Sequence, residues 1–407
     1  MNHRVVVTGM AGISPLGNDW ATIRDHLGAY RNAIVRMAEW DDYDGLNTRL
    51  GAPAAPFDLS DRYNRKSTRS MGRVALLATR ATELALIDAG LLDDPLVTSG
   101  RMGVSFGSSA GTTSAIGDFG RMIEERTTRG INATTYIKMM AHTAPVNIGV
   151  FFGLTGRVIT TSSACTSGSQ GIGYAYEAIK SGRQTAMVAG GAEELCATEA
   201  AVFDTLFATS VRNDTPNLTP RPFDAARDGL VIGEGAGALI LEEREHALVR
   251  GATIYANHVG FRTNTHRTDV TQPNAATMKV AMELALQDAN LEPSDIGYVN
   301  AHGTATQQGD LAETQATSAL FGSRMPISSL KSYMGHTLGA CGALEAWFSI
   351  EMMREGWFAP TINLGEVDPQ CGPLDYIRGE GRRIDCEYIM TNNFAFGGIN
   401  TSLIFKR

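Results

Sequence analysis

Apolar positions along the chain fall into short unbroken runs separated by amphipathic stretches. "RVVVTG" from Arg4, "TAMVAGG" from Thr185, "GAGALILEE" from Gly235, "EYIMTNN" from Glu387 and "TSLIFKR" from Thr401 read as strands buried within covered sheets. Between them lie helical patterns, two of which are nearly the same. "ATELALIDAGLL" (81–92) and "AMELALQDANLE" (281–292) share eight of twelve residues at an offset of 200, and each has the apolar spacing of an amphipathic helix. After each comes a short connection and a strand ending in small residues, "GVSFGSSAG" from Gly103 and "GYVNAHGTAT" from Gly297. A second pair follows in the same order: "TTSSACTSGSQGIGYAYEA" from Thr160 and "ISSLKSYMGHTLGACGALEA" from Ile327, each a strand end, a Gly-rich turn and a helix. Ordered self-similarity at this distance predicts a duplicated α/β chain rather than a short-period solenoid. The join falls near residues 245–255, giving halves 1–250 and 251–407. In such layered folds, reactive groups collect at the carboxyl ends of strands. Cys165, His302, Lys331 and Phe396 all fall in loops of that kind.

Composition narrows the class. With 407 residues and 43% hydrophobic content, the chain can bury a substantial core, which excludes disordered and fibrous classes. Its five cysteines form no CxxC pair and no close Cys/His cluster in sequence, so neither a disulfide framework nor a zinc site is expected, and a reducing, cytoplasmic compartment fits best. The opening "MNHRVVVTGMAGISPLG" has a basic residue before an apolar run, but Thr8, Gly9 and Gly12 interrupt it, so it reads as a first core strand rather than a secretory leader. No apolar stretch is long enough to span a membrane. The net charge of −8 argues against bulk nucleic-acid binding. Against that acidic background, basic residues crowd "DRYNRKSTRSMGR" (Arg62, Arg65, Lys66, Arg69, Arg73) and "RMIEERTTRG" (Arg121, Arg126, Arg129). They are either solvated helix faces or a patch that docks a small acidic partner.

The candidate chemistry starts at Cys165, which follows the β-prone Val158, Ile159 and Thr160 and precedes a helical pattern from about Ser167 to Lys180. A thiol at a helix N-terminus has its pKa lowered by the helix dipole, so a reactive thiolate is expected. Gly168, Gly171 and Gly173 leave room for a second backbone or an acyl chain. His302 lies between a strand end and a glycine, and His336 between Gly335 and Thr337 before a helix; two such histidines and a cysteine in matching loops favour catalysis over structural roles. Two histidines without paired carboxylates argue against a metal site.

These stretches together resemble the β-ketoacyl-acyl carrier protein synthases, condensing enzymes of the thiolase superfamily, over essentially the whole length and most like types I and II. The resemblance rests on "SSACTS" at the nucleophile, "AGGAEELC" (189–196), "RPFDAARDGLVIGEGAG" (221–237), "HGTAT" with "GD" (302–310) and "KSYMGHTLGACG" (331–342). It implies a thiolase-like fold with duplicated halves in an αβαβα layering. It also implies that Cys165 takes an acyl group from acyl carrier protein, with the backbone N–H groups of Cys165 and Phe396 forming an oxyanion hole. His302 and His336 would hydrogen-bond the malonyl thioester carbonyl during decarboxylation. Lys331 would sit behind them, with Asp310, Glu313 and Glu345 as candidate partners, in either a catalytic or a structural ion-pair role. Phe203 and Met140 match acyl-pocket positions, the second typically supplied by a partner subunit, and the substrate-binding residues extend to Thr304, Thr306, Gly397 and Gly398. Carrier protein would dock at Lys66, Arg69, Arg126 and Arg129 on a homodimer, a heterodimer being the other arrangement. No redox or organic cofactor is implied.

The chain lacks the second catalytic cysteine of thiolases near its C-terminus, where it reads "NNFAFGGIN", and it keeps the Cys165 that a chain-length-factor subunit would have lost, which favours an active enzyme over the other reading, a catalytically silent partner that binds carrier protein. Two departures bear on substrate. Ala395 stands where the family's gate loop usually has glycine, which predicts a stiffer gate at Phe396. His266 and Arg267 lie near a position where relatives commonly carry a carboxylate. Both leave housekeeping fatty-acid elongation and a dedicated polyene or polyketide-type lipid pathway open.

Overall fold

The computed structural model describes residues 3–266 and 270–407. Eleven of its strands form one mixed sheet: β1 (Val5–Ile13), β2 (Met102–Gly107), β3 (Val158–Thr161), β4 (Ala186–Glu193), β5 (Gly235–Glu243), β6 (Ala256–Thr265), β7 (Ile296–Asn300), β8 (Pro326–Ser328), β9 (Asp375–Tyr376), β10 (Tyr388–Phe394) and β11 (Ile399–Lys406). Their order is β9-β8-β7-β10-β11-β6-β1-β5-β4-β2-β3. Outward from the β1–β6 seam, the two directions read alike: β1-β5-β4-β2-β3 and β6-β11-β10-β7-β8. Within each, the first two pairings are antiparallel and the next two parallel. This is the duplication anticipated from the repeated sequence segments, and β9 is an addition to the second half. The 250/251 division falls in the connection between the helix Arg244–Val249 and β6.

Helices α1 (Arg73–Asp88), α2 (Ser167–Lys180), α4 (Ala275–Ala289), α5 (Gln307–Phe321) and α6 (Cys341–Glu355) layer over this sheet, and the shorter α3 (Ala197–Asp204) packs beside Cys165 and Phe396. α1 packs on β1 and β5, and α4 occupies the equivalent place on β6 and β11. α2 and α6 pack on each other and on strands of both halves, which makes them the middle layer of a helix-sheet-helix-sheet-helix stack whose two sheet layers are the β1 and β6 halves of the one sheet. Their composition suits that place: thirteen residues of α6, from Cys341 to Met353, are buried, apolar on all sides except for Glu345, Ser349 and Glu351. A helix without a polar face belongs in a core rather than on a surface. Three apolar clusters follow the layers, one around α2 and α6, one under α1, and one under α4 and α5.

Close approach at the centre depends on missing side chains. A Cβ on Gly168 of α2 would lie 2.9 Å from the Gly339 carbonyl, and one on Gly342 of α6 would lie 2.7 Å from the Ser169 nitrogen. Among the described residues, no helix is long and apolar enough to cross a membrane.

Gly173 of α2 faces Phe261 of β6, and a Cβ there would come within 2.2 Å of the buried ring. Gly173→Ala is therefore expected to destabilise the protein by about 1–3 kcal/mol through overpacking. Urea unfolding checks this, and Phe261→Leu in the same chain should return part of the loss.

Candidate active site

The Cys165 loop is bent by its own backbone. Ala164, a non-glycine residue, has φ +49° immediately before Cys165, and α2 starts two residues later. Left-handed backbone at an L-residue is costly and persists where surrounding structure holds it. Here it turns the Cys165 side chain into a cavity of about 360 Å³ that is also lined by His302, His336, Phe203, Thr304, Thr306, Arg227 and Phe396. Cys165 is 5% exposed. Its sulfur lies against the backbone N–H groups of Cys165 and Phe396.

His336 reaches this point from the other half. Gly335, with φ +68°, ends the short helical turn Lys331–Met334, and the His336 backbone is then pinned to Val231 and Gly233 at 2.7 and 2.8 Å. Its Nε2 is 3.0 Å from Cys165 Sγ, while the Leu338 N–H donates to Nδ1 at 3.3 Å. His302, at the end of β7, is held by Glu313, whose carboxylate accepts the His302 and Gly303 N–H groups at 2.7 Å each. Its Nδ1 accepts from Lys331 Nζ at 3.2 Å and faces Asn393 Nδ2 at 3.4 Å. The two imidazoles stand nearly perpendicular with centroids 5.1 Å apart.

In both rings Nδ1 is therefore the acceptor, which leaves the proton on Nε2, facing the cavity. Burial, reinforced by the Lys331 charge, holds both histidine pKa values well below the ordinary range, so neutral Nε2–H donors converge on the sulfur. The sulfur and nearest ring nitrogens lie within 4.8 Å of one another, a spacing a metal ion could bridge. Two N–H donors turned inward and an ammonium group behind them do not suit a cation. The arrangement suits an oxygen that gains negative charge.

The three candidate carboxyl partners of Lys331 separate. Lys331 Nζ pairs with Glu345, which also accepts from Asn393 Nδ2 at 2.8 Å. Burial pulls the Lys331 pKa down, but the Glu345 carboxylate outweighs it and the amine stays charged. Glu313 is spent on the backbone at His302, and burial pushes its pKa up to about 8. Asp310 accepts the Phe223 and Ala305 N–H groups at 2.7 and 3.1 Å, and burial pushes it up to about 6. These two carboxyls position the His302 loop, and Glu313 also lines the cavity.

Two expectations change. The Cys165 thiol is not lowered at rest: burial pushes it up to about 12, against the Lys331 charge and the two backbone N–H groups. The helix N-terminus is present, but desolvation by the second half outweighs it. Ala395 carries no left-handed strain; the positive φ values in this loop belong to Gly397 and Gly398, at +84° and +72°. The loop is instead tied by the Gly397 N–H to Val270 and the His266 N–H to Gly398, at 2.8 and 3.0 Å. His266 lies so close that a Cβ on Gly398 would meet its ring at 2.4 Å. Arg267 lies outside the described residues.

Phe203 lines the cavity and its ring is 5.1 Å from that of Phe396. Thr304 and Thr306 line it too, their hydroxyls 2.9 Å apart. Met140, half-buried after the helix Ala133–Met139, is not among the cavity's lining residues. Lys66, Arg69, Arg126 and Arg129 are exposed. Arg62 and Arg73 of the basic run are instead paired with Asp93 and Glu234.

Four residues of the site had no role in the sequence reading. Asn393 braces Glu345 and faces His302. Glu193 accepts from Ser108, Ser109 and Gly339, joining β4 to the turn before α6. Cys341 Sγ donates to the Cys165 carbonyl at 3.2 Å. Arg227, fully buried, bonds Asp368 at 2.8 Å and the carbonyls of Thr306 and Gln307. All four sit within quoted motifs, and only the tertiary contacts reveal what they hold.

Comparison with known proteins agrees with this geometry. Residues 2–247 match the family model of the β-ketoacyl synthase N-terminal domain, and residues 255–365 that of the C-terminal domain. The chain is 37% identical to 3-oxoacyl-[acyl-carrier-protein] synthase 2 of Vibrio harveyi over 413 residues, covering 100% of this chain and 99% of the relative. It is 35% identical to the protein of that name from Staphylococcus aureus strain COL, again covering 100% and 99%. Among solved structures, a β-ketoacyl synthase from Burkholderia phymatum STM815 superposes with a TM-score of 0.98 at 60% identity, covering 100% and 99% of the two chains. The ishigamide ketosynthase/chain length factor gives a TM-score of 0.90 at 28% identity, with the same coverage. On both the matched residues and the shared architecture, the chain belongs to the β-ketoacyl synthase family.

Proposed function

We infer that the protein is a β-ketoacyl-acyl carrier protein synthase of fatty acid elongation, an acyltransferase that condenses an acyl group on Cys165 with a malonyl thioester. The observation that carries this reading is the convergence of two Nε2–H donors, fixed by their Nδ1 partners, on a cysteine whose sulfur faces two backbone N–H groups. In the first step Cys165 Sγ bonds the acyl carbon, the bond from that carbon to the carrier's sulfur breaks, and the thiol proton ends on the departing thiol. The carbonyl oxygen, negative in the intermediate, sits between the Cys165 and Phe396 N–H groups. His336 Nε2–H supports negative charge on the sulfur, which offsets the effect of burial as the reaction proceeds.

In the second step the malonyl C–C bond breaks, CO2 leaves, and its electron pair becomes an enolate whose oxygen accepts from His302 and His336. The enolate carbon attacks the acyl carbon, Sγ leaves as thiolate, and a proton from solvent restores the thiol. Lys331 acts through His302: it fixes the imidazole tautomer and keeps the ring neutral.

The carrier protein is the acidic partner expected at Lys66, Arg69, Arg126 and Arg129. A ketosynthase solved in complex with a type II polyketide synthase acyl carrier protein is among the structural neighbours, at 28% identity and a TM-score of 0.89. A homodimer is supported by the exposed sheet edge at β3, where Val158 is 50% exposed, and by exposed Ile123, Tyr136 and Val150 nearby in sequence. Such a contact would bring Met140 toward the partner's acyl pocket. The five free cysteines, one of them the nucleophile, suit a reducing cytoplasmic compartment.

Intact-protein mass spectrometry after mixing with acyl carrier thioesters should show one acyl mass gained at Cys165, lost again as malonyl-carrier is converted to β-ketoacyl product, and never gained by Cys165→Ala. His302→Ala should keep acylation within about tenfold but lose condensation by about 10²–10³-fold, as expected for removal of one oxyanion donor. His336→Ala should impair both steps. Lys331→Met leaves Glu345 buried without its counter-charge, so urea unfolding should show a loss of about 3–5 kcal/mol, largely recovered in Lys331→Met/Glu345→Gln. Lys66→Glu/Arg69→Glu should weaken carrier binding in fluorescence anisotropy at low salt and leave thermal unfolding unchanged; equal affinity for both proteins would remove the docking site from this patch.

A further inference from the structure

One buried acid is left over by this account. Glu199, on α3, is 7% exposed, and both of its carboxyl oxygens are buried without a hydrogen-bond partner among the described residues. Its acidic neighbours are provided for. Glu193 accepts from Ser108, Ser109 and Gly339, Glu194 from Thr113, and Glu234 from Arg73 and Ala54. A buried polar group without a partner is destabilising, and native proteins keep few of them. Burial, with Glu193, Cys196, Glu194 and Glu234 close by, raises the Glu199 pKa well above the carboxylate range, so the group is a neutral acid with an O–H to give and an oxygen to accept.

Its position points to a ligand. Ala197, Ala200 and Phe203 form the inner stripe of α3 and pack in one apolar cluster with Cys165, Leu338 and Phe396. Phe203 also walls the cavity at the nucleophile. Glu199 precedes Phe203 by four residues, one turn and about 6 Å along the same side of the helix. Ala197 and Ala200 offer only methyl groups on this side of α3, and Glu199 lies one turn beyond Phe203, outside the residues that line the cavity. An acyl chain that extends past the Phe203 ring and follows α3 for one turn would meet the Glu199 carboxyl.

Resting on the synthase reading, we propose that Glu199 determines acyl specificity: its carboxyl hydrogen-bonds a hydroxyl carried on the chain held at Cys165, selecting hydroxylated acyl groups over plain alkyl chains. A hydroxyl both donates and accepts, so a single group on the substrate can satisfy both carboxyl oxygens. A pocket built this way discriminates strongly, because a chain without the hydroxyl leaves the acid unpaired.

The test uses full-length protein and acyl carrier thioesters in matched pairs, hexanoyl to decanoyl chains with and without a terminal hydroxyl, and reads single-turnover acylation of Cys165 by intact mass. The wild type should favour one hydroxylated length over its alkyl counterpart by about 10–100-fold, the worth of one or two hydrogen bonds. Glu199→Met, close in shape but unable to bond, should lose that preference and acylate faster with the alkyl chain, with a melting temperature at or above that of wild type. Glu199→Gln, which still donates and accepts, should keep most of it. Wild-type acylation that never favours a hydroxylated chain overturns the proposal without recourse to any variant, as does a preference that survives in Glu199→Met. If no chain of either kind acylates Cys165, the synthase reading fails and the proposal falls with it.

Discussion

The approach of α2 to α6 is the constraint from which the rest follows. Gly168 and Gly342 allow the two helices to touch with almost no side chain between them, and each helix begins at the site. Cys165 stands just before α2, and His336 shortly before α6, so packing the helices brings Nε2 to 3.0 Å from the sulfur. Cys341, the first residue of α6, closes the same junction through the Cys165 carbonyl. Because the helices come from opposite halves of a duplicated sheet, neither half alone brings an imidazole to the cysteine. The proposed reaction centre is a property of the interface between repeats.

Burial then decides the charge state of each group. In water the two histidines would be partly protonated and the cysteine partly ionised. Enclosed and backed by the Lys331–Glu345 pair, the imidazoles are neutral donors of fixed tautomer. On the proposed mechanism, a protonated imidazole would hold an anion more strongly, but it would also hold the malonyl carboxylate that has to leave. A neutral donor attracts that carboxylate less than an imidazolium would, while still donating to the enolate oxygen. The single charged amine lies behind His302, where it orients the ring without facing substrate.

Much of this was legible in the sequence because local pattern carries it. The repeated helices at 81–92 and 281–292 correspond to the ends of α1 and α4, and the expected helix from Ser167 to Lys180 is α2. Cys165, His302, His336 and Lys331 could be named because each lies in a Gly-rich loop after a strand. What could not be read are quantities set by the other half of the chain. The thiol's elevated pKa comes from what covers it, and the division of labour among Asp310, Glu313 and Glu345 depends on which N–H or ammonium each one meets. Asn393 and Arg227 were hidden for the same reason. Ala395 shows the converse error, since its neighbours Gly397 and Gly398, rather than Ala395 itself, take the left-handed backbone.

The strand order has a further consequence for how the chain is made. β1, made before its partners, lies at the middle of the finished sheet and, among the described residues, pairs with β5 and β6, Val5 with Glu243 and His258. At ordinary rates of synthesis, those partners emerge roughly 10–50 seconds later. Until then an apolar nine-residue strand, buried along its whole length in the native protein, has both edges open. The delay leaves this strand open to pairing with other chains during synthesis, a hazard set by topology and separate from the stability of the completed fold.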